Sequence, residues 1–193
     1  MRSGEEARVG HHGQMTVTVR PATPSDAALL AEVAAVTFPL ACPPGSDLAD
    51  IARVVTTVLS EDAFTRYLAD DSRIVLLAVD PTTRGAALGY SMMVTGDPDD
   101  ADVSAVVASR PTVELSKFYV MPQGHGTATA STLMAATIEA ARATGASSVW
   151  LGVNQQNERA LRFYAKHGLE RVGTKTFALG DDLQQDFVLE RRL

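Results

Sequence analysis

The stretch VELSKFYVMPQGHGTATASTLM, residues 113–134, constrains the fold more than any other part of the chain. Val113 to Val120 alternates and is rich in β-branched and aromatic residues, which predicts a strand. Pro122 stops it, and Gln123-Gly124-His125-Gly126 has the composition of a turn. The run Thr127-Ala128-Thr129-Ala130-Ser131-Thr132 carries no bulk beyond the β-carbon branch. Leu133, Met134, Ile138 and Ala141 then fall near helical spacing, and Gly145 is placed to end the helix. The first amides of a helix have no internal partner, and the dipole there favours negative charge. Small side chains at that point let a phosphate approach the backbone. A strand, a glycine turn and a helix also make an ordinary connection, so the segment alone leaves both readings open.

The flanking sequence predicts further elements. Thr16 to Arg20 alternates as a first strand, and Ser25-Asp26 opens a helix whose body runs from Ala27 to Val36. Phe38, Pro39, Pro43, Pro44 and Gly45 read as the loop that ends it. Asp47 to Leu59 and Glu61 to Leu68 are two more helix candidates. Arg73 to Asp80 and Ala86 to Thr95 read as a hairpin, and 96–102 as an acidic loop. Strand Ser147 to Val153, helix Asn157 to His167 and a closing hairpin of Leu169 to Leu179 with Gln185 to Glu190 follow. The order is a mixed α/β pattern with a hairpin-rich first half.

At 193 residues and 46% hydrophobic, the chain can fill one core, and 15–193 is expected to form a single domain. Residues 1–14 lack an apolar signal core and are expected to be a flexible extension. A net charge of −6 argues against a general nucleic-acid binder. No apolar run is expected to approach the length of a membrane span. Cys42 is the one cysteine, so there is no internal disulfide, and no His/Cys cluster suggests a metal. The location expected for such a chain is cytoplasmic.

Downstream, Asn157-Glu158-Arg159-Ala160-Leu161-Arg162-Phe163-Tyr164-Ala165-Lys166-His167-Gly168-Leu169 follows strand Trp150-Leu151-Gly152-Val153. Together with residues 113–134 it resembles the GNAT superfamily of acyl-CoA-dependent N-acyltransferases. The family pattern is a strand ending in an aromatic-Val pair, then Arg/Gln-x-x-Gly-x-Gly/Ala, and later Asn-x-x-Ala-x-x-Phe-Tyr-x-x-x-Gly-Phe. This chain has His125 where Arg or Gln is common, Ala128 and Ala130 where Gly is common, and Leu169 for the last Phe. The resemblance implies an α/β (α+β) GNAT fold. Its mixed, mostly antiparallel sheet of about six to seven strands is flanked by about four helices, with two central strands splayed around the cofactor. Within the superfamily the chain looks most like PaiA-type bacterial spermidine/spermine acetyltransferases, which usually have Trp where Asn154 stands here.

The resemblance implies acetyl-CoA as co-substrate, with no metal. It implies pantetheine contacts from Phe118, Tyr119 and Val120 and a pyrophosphate loop of Gly126, Thr127, Ala128, Thr129, Ala130 and Ser131. Asn157 and Tyr164 lie seven residues apart, two helical turns and roughly 10 Å, so they share a face. By resemblance Asn157 contacts CoA and Tyr164 protonates the leaving thiolate. From the residues alone Asn157 reads equally as a helix N-cap, and Tyr164 as a core tyrosine. Glu114, with Ser116 and Phe118 on the same face of the strand, lies roughly 20 Å upstream of the loop. By resemblance to some family members it is the expected general base, acting directly or through water, and a buried Glu could have a raised pKa suited to that role. From the residues alone it reads equally as a structural or solvent-facing strand Glu. Family members that place a base Glu in the next strand would have it at Gly152 here, so by the resemblance that variant is excluded. The expected partner is a small-molecule amine, polyamine-like in view of the acidic loop (Asp97, Asp99, Asp100, Asp102) and Asp181-Asp182. A peptide N-terminus, lysine or antibiotic amine is the alternative within enzymes, and a non-catalytic acyl-CoA sensor the alternative outside them. No nucleic acid or membrane is expected, and family precedent allows a homodimer.

Overall fold

A computed structural model describes residues 17–83, 85–125, 128–179 and 182–193. Expectations for residues 1–14, Gly126, Thr127 and Asp181 lie outside the described residues.

Among the described residues seven strands form one sheet: β1 (Thr18–Pro21), β2 (Arg73–Asp80), β3 (Ala86–Thr95), β4 (Thr112–Val120), β5 (Ser148–Asn154), β6 (Glu170–Leu179) and β7 (Asp182–Arg192). Their order is β1-β2-β3-β4-β5-β7-β6. Every neighbouring pair is antiparallel except β4 and β5. A parallel pair needs a long crossover, and here it is a helix. Among the described residues six α-helices surround the sheet: α1 (Ala27–Ala41), α2 (Leu48–Thr57), α3 (Glu61–Leu68), α4 (Ala101–Val106), α5 (Thr129–Ala143) and α6 (Glu158–Lys166). The expectation of about four helices is therefore corrected to six.

The sheet has apolar residues on both faces, and two cores follow. On one face Leu30, Val33 and Ala34 of α1 and Phe64 of α3 bury against Leu77, Tyr90 and Met92. On the other, Met134, Ile138 and Ala141 of α5 bury against Met93, Leu115 and Leu151, with α6 packed alongside through Leu161, Phe163 and Tyr164. A buried hydrogen bond between Ser91 and Thr137 (2.8 Å) ties β3 to α5.

Three local expectations are corrected. Helix α1 does not stop at Val36 but runs through Pro39, because Phe38 packs edge-on against Tyr119 with centroids 6.5 Å apart. Tertiary packing thus outweighs the one hydrogen bond that proline removes. The acidic loop ends in α4, whose start is capped by Asp100 Oδ1 accepting from the amides of Asp102 (2.9 Å) and Val103 (3.2 Å). Its Val103, with Val107, buries against Trp150 and Val188, an apolar spacing hidden among aspartates. The segment Pro24–Ala41 is, by length and composition alone, long and apolar enough to cross a membrane. One third of it is buried in the protein, where it forms a core helix.

Candidate active site

The site arises where the two central strands part. β4 and β5 pair only at Thr112↔Ser148, Val113↔Val149 and Glu114↔Trp150. Beyond Glu114, β4 stays with β3 while β5 stays with β7. The gap between them opens into a cleft of about 820 Å³ walled by β4, β5, α6 and the end of α1. A bulge steers the wall. Met92 pairs with Lys117 and Met93 with Leu115, which leaves Ser116 without an opposite residue. The extra residue reverses the alternation. Leu115 and Phe118 pack on the α5 face, while Tyr119 packs on the α1 face. The expectation that Glu114, Ser116 and Phe118 share one face is corrected, because it assumed an unbroken strand.

One end of the cleft is built from main chain and small side chains. Phe118, Tyr119 and Val120 line it, and their backbone edge toward β5 has no strand partner among the described residues. Pro122–Gly124 makes a 3-10 turn that folds back on the strand. A side chain at Gly124 would have its Cβ 2.9 Å from Val120 Cγ1 and 3.3 Å from Thr129, so the return requires glycine. Ala128 is the N-cap of α5, its carbonyl accepting from Thr132 N (2.8 Å). Ala130 and Ser131 line the cleft, while Thr129 is buried in the protein and Ala128 is exposed. The helix N-terminus thus brings its first amides and its positive dipole end to the cleft.

His125 is more than a loop residue. Its Nε2 lies 2.9 Å from the Val120 carbonyl and its Nδ1 3.3 Å from Arg159 Nη1. A guanidinium only donates, so Nδ1 accepts, and Nε2–H donates to Val120 O. The ring therefore links the end of β4 to Arg159, whose cation lines the cleft beside the helix N-terminus. Sequence reasoning passed over Arg159, although its place two residues past Asn157 puts it on the first turn of α6.

Asn157 and Tyr164 both line the cleft from α6. Asn157 is the N-cap, its Oδ1 accepting from Ala160 N (3.1 Å), and its amide NH2 faces no partner among the described residues. The capping role and a cleft-facing role are compatible. Tyr164 lies edge-on to Phe118 (6.3 Å) and Phe163 (5.6 Å). Burial, with a smaller contribution from the neighbouring Tyr119 phenol, pushes its hydroxyl pKa well above the usual tyrosine value. The phenol is therefore protonated at neutral pH and can donate.

The other end is charged. Glu114 sits at the apex, where strand pairing ends, and burial raises its carboxyl pKa against the opposing pull of Lys175, Lys117 and Arg73. Lys117, one residue past the bulge, lines the same space, and burial lowers its ammonium pKa to about 8. Lys175 reaches in from β6 across β7. A Cβ at Gly152 would lie 2.8 Å from Lys175 Cε and 3.4 Å from Asp186 Oδ2, so the missing side chain at Gly152 is the channel for both. Burial also raises the Asp186 carboxyl, again countered by Lys175. Lys117, Lys175 and Asp186 escaped sequence reasoning, since strand order and the bulge bring them together. Asp97 pairs instead with Arg110 (3.0 Å), and Asp100 caps α4. Neither belongs to the cleft lining.

Residues 47–169 match the acetyltransferase (GNAT) family. An uncharacterized N-acetyltransferase of Mycobacterium tuberculosis is 45% identical over 169 residues, 88% of this chain and 99% of that one. A Lactobacillus delbrueckii protein, also an uncharacterized N-acetyltransferase, is 32% identical over 145 residues, 75% of this chain and 79% of that one. Among solved structures, the PaiA N-acetyltransferase from Thermoplasma acidophilum in complex with coenzyme A superposes with TM-score 0.71 at 18% identity, covering 93% of this chain and 100% of that one. Arabidopsis thaliana NAA60 in complex with acetyl-CoA gives TM-score 0.70 at 14% identity, covering 92% and 99%. At these identities the structural likeness speaks for the fold. The chain belongs to the GNAT family of acetyltransferases and is an acyltransferase enzyme.

Proposed function

We propose that the protein moves the acetyl group of acetyl-CoA to a primary amine of a small molecule, by direct attack within a ternary complex. One observation carries the reading: the cleft opens directly after Glu114 and has the protonated Tyr164 phenol in its wall. The main-chain end takes the cofactor. The free edge of Phe118 to Val120 offers amides to pantetheine, and the α5 N-terminus with Arg159 offers donors and charge to phosphate. The acceptor enters from the charged end.

The acceptor ammonium first gives a proton to Glu114 or to a water it holds. The free amine attacks the thioester carbonyl, forming a C–N bond, and an amide near Val120 donates to the oxyanion. The C–S bond breaks, and Tyr164 passes its proton to the departing thiolate. The second nitrogen proton restores the phenol through solvent, so one proton is released per turnover. Cys42 also lines the cleft, and burial raises its thiol pKa, which disfavours the thiolate form.

The PaiA-like preference for a polyamine needs carboxylates to hold a polycation. The cleft instead sets Lys117 and Lys175 beside Glu114 and Asp186, a pattern that favours a different small amine. The test is CoA thiol release from acetyl-CoA with an amine panel, using wild type and Tyr164→Phe. Acceptor-dependent release that falls in the variant, with acetyl-CoA binding retained, supports the reading. Binding with no release on any amine supports the sensor alternative.

A further inference from the structure

We propose that the acceptor is a zwitterion, a primary amine bearing a carboxylate as in a free amino acid, with Lys117 and Lys175 as the residues that select the carboxylate. The proposal rests on the amine-acetyltransferase reading above and names its substrate class.

Four ionisable side chains meet at the charged end: Glu114, Lys117, Lys175 and Asp186. Among the described residues none of the four is in a hydrogen bond or ion pair, although Glu114 feels the charge of both lysines and Asp186 that of Lys175. The two ammonium groups instead lie over aromatic faces, Lys117 Nζ 5.4 Å from the Tyr67 ring centre and Lys175 Nζ 5.8 Å from that of Trp150. Buried charges are ordinarily paired, since removing them from water is costly. Two cations and two anions, all facing one cleft and none paired, form a receptor whose complement carries both signs. A polycation would meet Lys117 and Lys175 as like charges. A simple amine would leave both lysines without a counter-charge. A molecule with an ammonium for the carboxylates and a carboxylate for the lysines satisfies both.

The placement agrees. Glu114 is at the apex, where a proton must be taken, and Lys117 is three residues further along the same strand, with the bulge between them. Lys175 arrives from the opposite wall through the space left by Gly152. The two cations therefore line the opening from its two walls, and the proposed carboxylate would sit between them.

The experiment compares the free L-amino acids with their C-terminal amides and with spermidine. Thiol release is read as kcat/KM, and binding to the CoA-loaded protein is read by calorimetry. The expected result is an amino acid preferred over its own amide by about tenfold or more. In Lys117→Met and Lys175→Met, which keep the side-chain volume, the acid-to-amide ratio should fall by a similar factor. Binding of an amino acid to the CoA-loaded protein that is weakened on amidation upholds the proposal even if no release follows. In that case only the enzymatic reading fails. An amide or spermidine that equals or exceeds the free acids in both readouts overturns the proposal. So does an unchanged acid-to-amide ratio in both lysine variants. The wild-type comparison needs no variant to fold.

Discussion

The two ends of the cleft are built on opposite principles. The end proposed for the cofactor is made of backbone: a strand edge released by the splay, a glycine turn and a helix N-terminus opened by small residues. The end proposed for the acceptor is made of side chains: four ionisable groups drawn from β4, β6 and β7. Backbone recognition depends on local conformation and tolerates substitutions that keep residues small, such as Ala128 and Ala130. Side-chain recognition depends on which strands happen to be neighbours. The first end therefore suits a ligand shared across a family, and the second a ligand that differs between members.

The largest expected effect crosses both ends. Tyr164→Phe should lower kcat about a hundredfold while acetyl-CoA binding by calorimetry changes little, as expected of the proposed proton donor to the leaving group. A matched loss of binding would place Tyr164 in cofactor recognition instead and blur the division. Next, Glu114→Gln should lower kcat/KM about tenfold or more at neutral pH. Burial raises the Glu114 pKa, and a base works only when ionised, so wild-type activity should fall on the acid side at a pH above the usual carboxylate range. That limb should vanish in the variant; its persistence would assign the proton to another group.

Arg159→Ala should raise the KM for acetyl-CoA about tenfold, with kcat for a saturating acceptor nearly kept, as fits a cation at the phosphate end. A shift in acceptor KM instead would move Arg159 to the other region. The smallest effect is on stability. Lys117 holds a pKa of about 8, below its value in the unfolded chain. Below pH 8 both states are protonated, and the cost of the buried charge is fully present. As pH rises toward the unfolded value the native state sheds its proton first and gains stability. Lys117→Met should therefore melt a few degrees higher than wild type at pH 7, with the gap closing toward pH 10. A constant gap would mean that the lysine charge is not what the fold strains against.

The contrast also marks what the sequence could reveal. Strand, turn and helix follow from alternation, proline and small residues in one continuous stretch, so β4, the Pro122–Gly124 turn and α5 were legible. Asn157 and Tyr164 share a face by helical spacing alone, and both reach the cleft. The acceptor end had no such local signal. Lys175 enters the site because β7 lies between β5 and β6 and because Gly152 leaves room, and neither fact is local. Lys117 turns inward because Ser116 forms a bulge, which alternation cannot show. Helix α4 stayed hidden since its aspartates outweighed three valines. Proline punctuation misplaced the end of α1, because the ring of Phe38 found Tyr119.

The most direct measurement is CoA thiol release from acetyl-CoA by the purified wild-type protein, with amino acids, their amides, polyamines and short peptides each offered as acceptor. The account predicts release that depends on the acceptor and saturates with it. No acceptor-dependent release from any of these, by a folded protein that binds acetyl-CoA, would contradict it.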